Sequence, residues 1–141
     1  MFFGILKGYS AFNYQVFLIY LMHITITGIH MEMTDAIREY AFEKMRMLQK
    51  YIPSDDTSAK LAVELSKTTN HHAHGDVFQA EAHLHIRGKE TTIRTTQDDL
   101  YKAIDILKDM LARELASHKD KERSIFRRSA HKVKALFKRL I

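Results

Sequence analysis

The stretch Thr91-Thr92-Ile93-Arg94-Thr95-Thr96-Gln97-Asp98-Asp99-Leu100-Tyr101-Lys102-Ala103-Ile104-Asp105 decides the fold. Its first half is β-branched and alternating, as in a strand, and a charged helical pattern follows with almost no loop between. Thr96 followed by Asp99 has capping-box spacing, in which each side chain accepts a hydrogen bond from a free backbone N–H of the helix start. Beyond Asp99 no Gly or Pro interrupts the helix. Leu100, Ile104, Leu107, Leu111 and Leu115 recur at helical spacing as a buried stripe. Tyr101, Lys108 and Lys119 share one flank of it. Lys102, Asp105, Asp109 and Arg113 fall on the outer surface, where mixed charge reads as a solvated face.

Upstream, Phe78, Ala80, Ala82, Leu84 and Ile86 alternate with Gln79, Glu81, His83, His85 and Arg87. That is a half-buried strand, joined by a tight Gly88-Lys89 turn to a fourth strand around 89–95. A polar turn over 68–76 precedes it, and Leu61, Val63 and Leu65 alternate before that. His23–Thr27 alternates and stops at Gly28. Between these strands, Thr34 caps a helix with Asp35 in its first turn. Ile37, Ala41, Met45, Leu48 and Ile52 form its stripe, and Pro53-Ser54-Asp55-Asp56 ends it. The order β-α-β-β-β-α predicts an α+β two-layer sandwich: a four-stranded sheet with two helices on one face, similar to double-stranded-RNA-binding architecture. The other face, bearing His83, His85, Arg87 and Arg94, is expected to be wet.

The 141 residues carry a net charge of +5, but its location matters more than its sum. Residues 122–141 hold seven Lys/Arg against Glu122 alone, whereas residues 22–121 hold fourteen basic and sixteen acidic residues, a net of −2. Three segments follow: an apolar extension over 1–21, a domain over 22–121 and a basic amphipathic tail over 122–141. In the first, the run Val16–Met22 is too short to span a bilayer, and a start assigned too far upstream is the preferred reading. In the last, Ile125, Ser129, Val133, Leu136 and Leu140 continue the face of Leu100–Leu115 beyond any reach of the sheet. The tail must therefore fold back, pair with another chain or meet a partner. An RNA- or ribosome-contacting extension ranks first among its readings, an oligomer or fold-back helix second and a membrane-surface helix third.

No catalytic constellation is visible. Cysteine is absent, so disulfides and thiolate chemistry are excluded, and a reducing cytoplasm fits. There is no Gly-x-Ser-x-Gly and no Gly-rich phosphate loop. His71, His72 and His74 with His83 and His85 are the one cluster that resembles metal ligands, but they lack fixed-spacing logic. Neither a metal nor another cofactor is expected, and an enzyme is the least favoured class.

Ile26-Thr27-Gly28, Glu32-Met33-Thr34-Asp35-Ala36-Ile37-Arg38-Glu39-Tyr40, Asp99-Leu100-Tyr101-Lys102-Ala103-Ile104-Asp105, Leu111-Ala112-Arg113-Glu114-Leu115 and His118-Lys119-Asp120-Lys121 together resemble the bacterial ribosome hibernation promoting factor family. The family is also called ribosome-associated inhibitor A or sigma-54 modulation protein. The resemblance covers about residues 22–121, and the His-Lys-Asp-Lys ending is closer to the short hibernation factor. Only twenty residues follow Lys121, too few for the dimerisation domain of long members.

The resemblance implies a cytoplasmic, non-enzymatic protein that occupies the mRNA and tRNA channel of the 30S subunit during stress or stationary phase. There it would block translation and preserve idle ribosomes, short members acting beside a separate modulation factor in ribosome dimers. Neither a small-molecule substrate nor a membrane is an expected partner.

The implied 16S rRNA surface maps onto Arg38, Lys44, Lys67, Arg87, Lys89, Arg94, Lys102, Lys108, Arg113, Lys119 and Lys121. His83, His85, Tyr101, Arg127, Arg128 and Lys132 are secondary candidates. Met110 and Ser117 stand where many relatives carry Lys, and Lys108 where the position is often apolar, so charge is relocated along this helix. The competing readings are a general RNA-binding module and a membrane-surface or oligomerising protein driven by the tail.

Overall fold

Alternating apolar residues lay down the sheet, and the helical stripes cover one side of it. The computed structural model describes residues 22–69 and 75–140. The N-terminal extension and the turn histidines His71, His72 and His74 lie outside the described residues. Strand β1 (His23–Ile29) leads to helix α1 (Asp35–Arg46), which tightens into a 3₁₀ turn over Met47–Tyr51. Strands β2 (Lys60–Thr69), β3 (Asp76–Ile86) and β4 (Lys89–Gln97) follow, then helix α2 (Leu100–Leu140). The sheet order is β1-β2-β3-β4, with β1 parallel to β2 and the other pairs antiparallel. The element order is the expected one, and strands β2 and β3 run further into the expected polar turn.

Thr34 caps α1, its hydroxyl accepting from Ile37 N–H at 3.2 Å. The start of α2 differs from its expected form. Thr96 is still a strand residue, paired across the ladder with Gln79. Asp99 is the cap instead, its carboxylate accepting from Lys102 N–H at 2.8 Å and its carbonyl from Ala103 N–H at 3.0 Å. The backbone remains in the ladder through Gln97, so Thr96 has no helical N–H to receive. The tight turn is also one residue earlier than expected. Arg87 (φ 50°) and Gly88 (φ 73°) form the two-residue loop between the paired residues Ile86 and Lys89. Two positive φ values match the right-handed strand twist, which is why such a loop joins a hairpin.

The core lies between sheet and helices. Leu61, Val63 and Leu65 from β2 and Ala80, Ala82 and Leu84 from β3 meet Ala41 and Met45 of α1, Leu48 of the 3₁₀ turn and Ile104, Leu107, Leu111 and Leu115 of α2. Alanines on β3 leave room for the leucines of α2 above them. Helix α2 begins at the Gln97 end of the sheet, runs back over β3 and β4, and overshoots the Arg87–Gly88 turn. Its 41 residues extend for about 60 Å, roughly twice the length of β4. Leu115 is the last buried residue, and every residue from Lys119 to Leu140 is exposed. The tail does not fold back.

Candidate nucleic-acid interface

Strand register brings the side chains of the open sheet face into rows. His23, Lys60, His85 and Glu90 form one; Thr25, Ala62, His83 and Thr92 the next; Thr27, Glu64, Glu81 and Arg94 a third. The face is wet, as expected, but it is not a cationic platform. Glu81 is almost buried and accepts from Arg94 Nε, with His83 Nε2 3.2 Å away. The Arg94 donor holds the Glu81 carboxyl below the usual carboxylate range against the opposing effect of burial. The same contact raises Arg94. His83 Nδ1 lies 3.1 Å from the Thr92 hydroxyl, and His85 Nδ1 lies 3.6 Å from Glu90. Among the described residues no three His, Asp or Glu side chains converge as metal ligands.

The helix surfaces show the same spending of charge. Asp105, expected on the outer surface of α2, faces α1. It accepts from Tyr40 Oη at 2.8 Å and pairs with Lys44 Nζ at 3.1 Å. The hydrogen bond to Asp105 is the main reason why both Tyr40 and Lys44 hold their protons more tightly than usual. Helical spacing located Asp105 relative to its own stripe, but only packing located α1. Tyr101 stands edge-on to Tyr40 (4.8 Å between centroids, 84° between planes) and stays 41% exposed. It packs along the helix seam and shows its outer side to solvent. Lys67 pairs with Asp76 at 2.7 Å, Lys102 with Asp98 at 3.1 Å and Lys108 with Asp109 at 3.1 Å.

Arg87 pairs with carboxylates from two separate elements. It lies in the hairpin loop rather than on the open face. Its guanidinium meets both Asp55 oxygens at 3.0 and 3.2 Å, and its Nε meets Glu122 of α2 at 2.9 Å. Its backbone N–H donates to Asp56 at 2.8 Å. The Asp55 hydrogen bonds lead the effects that raise the Arg87 pKa. Burial pushes the Asp56 carboxyl up, but hydrogen bonds from Ser58 and Arg87 outweigh it and leave that group below the usual range. This cluster fastens the exit of α2 to the hairpin and to the loop after the 3₁₀ turn.

Among the described residues, five of the candidates have no carboxylate within ion-pairing distance: Arg38, Lys89, Arg113, Lys119 and Lys121. Arg38 donates to the Ile26 carbonyl at 3.2 Å, and Arg113 to the Asp109 carbonyl at 3.4 Å, so both are steered while keeping their charge uncompensated. The other three gather where α2 leaves the sheet. Lys89 and Lys119 line a cleft of about 630 Å³ between Tyr51–Asp55, the hairpin and the helix, with His118 and Arg123 beside them. Arg127, Arg128 and Lys132 continue outward on the exposed helix, also without carboxylate partners among the described residues. The α2 exit thus collects most, though not all, of the uncompensated cations among the described residues.

The sequence profile of the family described as sigma 54 modulation protein / S30EA ribosomal protein matches residues 24–123. The chain belongs to this family. A ribosome hibernation promoting factor from Azotobacter vinelandii is 33% identical over 101 residues, covering 72% of this chain and 86% of that protein. One from Escherichia coli strain K12 is 34% identical over 100 residues, covering 71% and 96%. The Thermus thermophilus protein Y N-terminal domain superposes with a TM-score of 0.55 at 27% identity, over 67% of this chain and 94% of that one. A ribosomal subunit interface protein from Coxiella burnetii shares the fold, with a TM-score of 0.57 at 20% identity over 70% and 99%.

The family match ends at Arg123, close to where α2 loses contact with the domain. Two cations at this end of the fold were missed by sequence reasoning, Lys60 and Arg123. Lys60 opens β2 on the outward side of its alternation, directly opposite His85 across the ladder. Arg123 follows Lys119 by one helical turn, a spacing that would have linked it to the same patch.

Proposed function

We propose that this protein is a ribosome hibernation promoting factor. It binds the 30S subunit in the mRNA and tRNA channel through 16S rRNA, blocks translation and preserves idle ribosomes in the cytoplasm during stress or stationary phase. Membership of the family over residues 24–123, with relatives that bear this name, carries the reading. The surface chemistry supports it. Arg38, Lys89, Arg113, Lys119 and Lys121 present charge without a competing carboxylate, which suits phosphate neutralisation without base readout. Lys44, Lys67, Arg87, Lys102 and Lys108 are pre-oriented by exposed carboxylates, and a phosphate replaces such an exposed pair at small net cost, whereas Arg94 is held by the nearly buried Glu81. Tyr101, His83 and His85 add stacking or hydrogen-bonding groups beside them. A separate modulation factor would complete ribosome dimers.

A sucrose gradient of stationary-phase lysate tests the proposal. The protein is expected on 30S, 70S or dimeric ribosomes, and its absence from every ribosomal fraction would refute the reading. Purified 30S subunits should also bind it more tightly than free duplex RNA at equal salt. Equal affinity would favour a general RNA-binding module.

A further inference from the structure

We infer that the projecting part of α2 is a docking helix for an anionic lipid bilayer, lying in the plane of the membrane surface with its apolar stripe down. Ile125, Phe126, Val133, Leu136, Phe137 and Leu140 share one face of the helix, and none of them is covered by the domain: Phe126 is 76% exposed and Leu140 83%. The stripe is about 24 Å long at 1.5 Å per residue. On the helical wheel Arg127, Lys134 and Lys138 border one edge, and Arg128, Lys132 and Arg139 the other. Glu122 is the only acid of residues 122–141, and it is already held by Arg87.

Charge complementarity selects the occupant. A polyanion such as RNA would satisfy the cations and leave two phenylalanines and four aliphatic side chains in water. A second copy would cover the stripe, but it would set one strongly basic helix beside another with no acidic residue to pair. A bilayer rich in anionic lipid answers both features, because its acyl region takes the stripe while headgroup phosphates lie along both basic edges. No described helix is long and apolar enough to cross a membrane, so the contact is interfacial. The domain core ends at Leu115, so the docking segment lies beyond the primary ribosome-binding candidates and carries only the secondary ones Arg127, Arg128 and Lys132.

Flotation of the full chain with vesicles tests the inference, comparing equal parts phosphatidylglycerol and phosphatidylcholine with phosphatidylcholine alone. Wild-type protein is expected to float with the anionic vesicles only. F126Q/F137Q, which keeps charge and helix propensity, should weaken partitioning by roughly tenfold or more. K134Q/K138Q/R139Q should weaken it and reduce its salt dependence. Residues 1–21 are present in every arm, so only a difference between variants reports on the tail. Binding of wild type to neither vesicle, or equal binding by F126Q/F137Q, would overturn the inference. A concentration-dependent dimer that F126Q/F137Q abolishes without any vesicle binding would assign the stripe to a second copy. Loss of 30S binding by F126Q/F137Q, with vesicle binding unchanged, would assign it to the ribosome. The 30S arm separates failure of this inference from failure of the hibernation reading.

Discussion

Asp99 and Glu81 show what single side chains contribute. Asp99 caps α2, so D99A should lower unfolding free energy by about 1 kcal/mol in urea denaturation. T96A, in an exposed strand position with no capping role, should change it by less than about 0.5 kcal/mol. Equal costs would restore Thr96 as the cap. Glu81, Asp56 and Asp98 all sit below the usual carboxylate range in the folded state. A depressed folded pKa contributes stability that is present above the unfolded value, near about 4.3 for Glu, and is lost as pH falls through the folded value. E81Q should therefore flatten the acid limb of the stability profile, as read by Tm between neutral and strongly acidic pH. Tyr40 and Lys44 have the opposite sign. Their raised values contribute stability below the unfolded pKa of about 10 that is lost as pH rises through the folded one. Thr34 was readable as a cap because its helix starts after a loop. Thr96 was not, because the capping pattern contains no information on whether its backbone is still paired to β3.

Helix α2 is one element with two environments. Leu111 is fully buried beneath it, whereas Leu136, on the same stripe, is 58% exposed. L111A should cost about 2–5 kcal/mol, and L136A less than about 0.5 kcal/mol, in the same denaturation assay. A large cost for L136A would mean that the stripe is covered in solution. Periodicity made the whole stripe legible, including its overrun of the sheet, since a helix longer than its sheet follows from rise per residue alone. The faces were less legible. Asp105 looked solvent-facing because its distance from the leucine stripe is large. It is instead the anchor for Tyr40 and Lys44, because α1 lies along that flank.

At the scale of the whole molecule the distribution of uncompensated charge decides the expected behaviour. K89Q/K119Q/K121Q should weaken 30S binding and make the slope of log affinity against log salt less steep, by up to roughly 0.7–0.9 per lost phosphate contact. K67Q/K102Q should do less, because Asp76 and Asp98 already offset those lysines. Titrations across salt would show this, and equal slopes for the two variants would refute the division between paired and unpaired cations. By itself the sequence determined the α+β order, the family, the near-neutral domain and the strongly basic end, since these follow from periodicity, motif and count. Tertiary structure alone decided which cations remain available, because Lys44, Arg87 and Arg94 meet carboxylates that are distant along the chain and close only after packing. It also decided the course of the tail. The Arg87 cluster fastens the exit of α2, and no described residue of the domain covers the apolar stripe that passes beyond it.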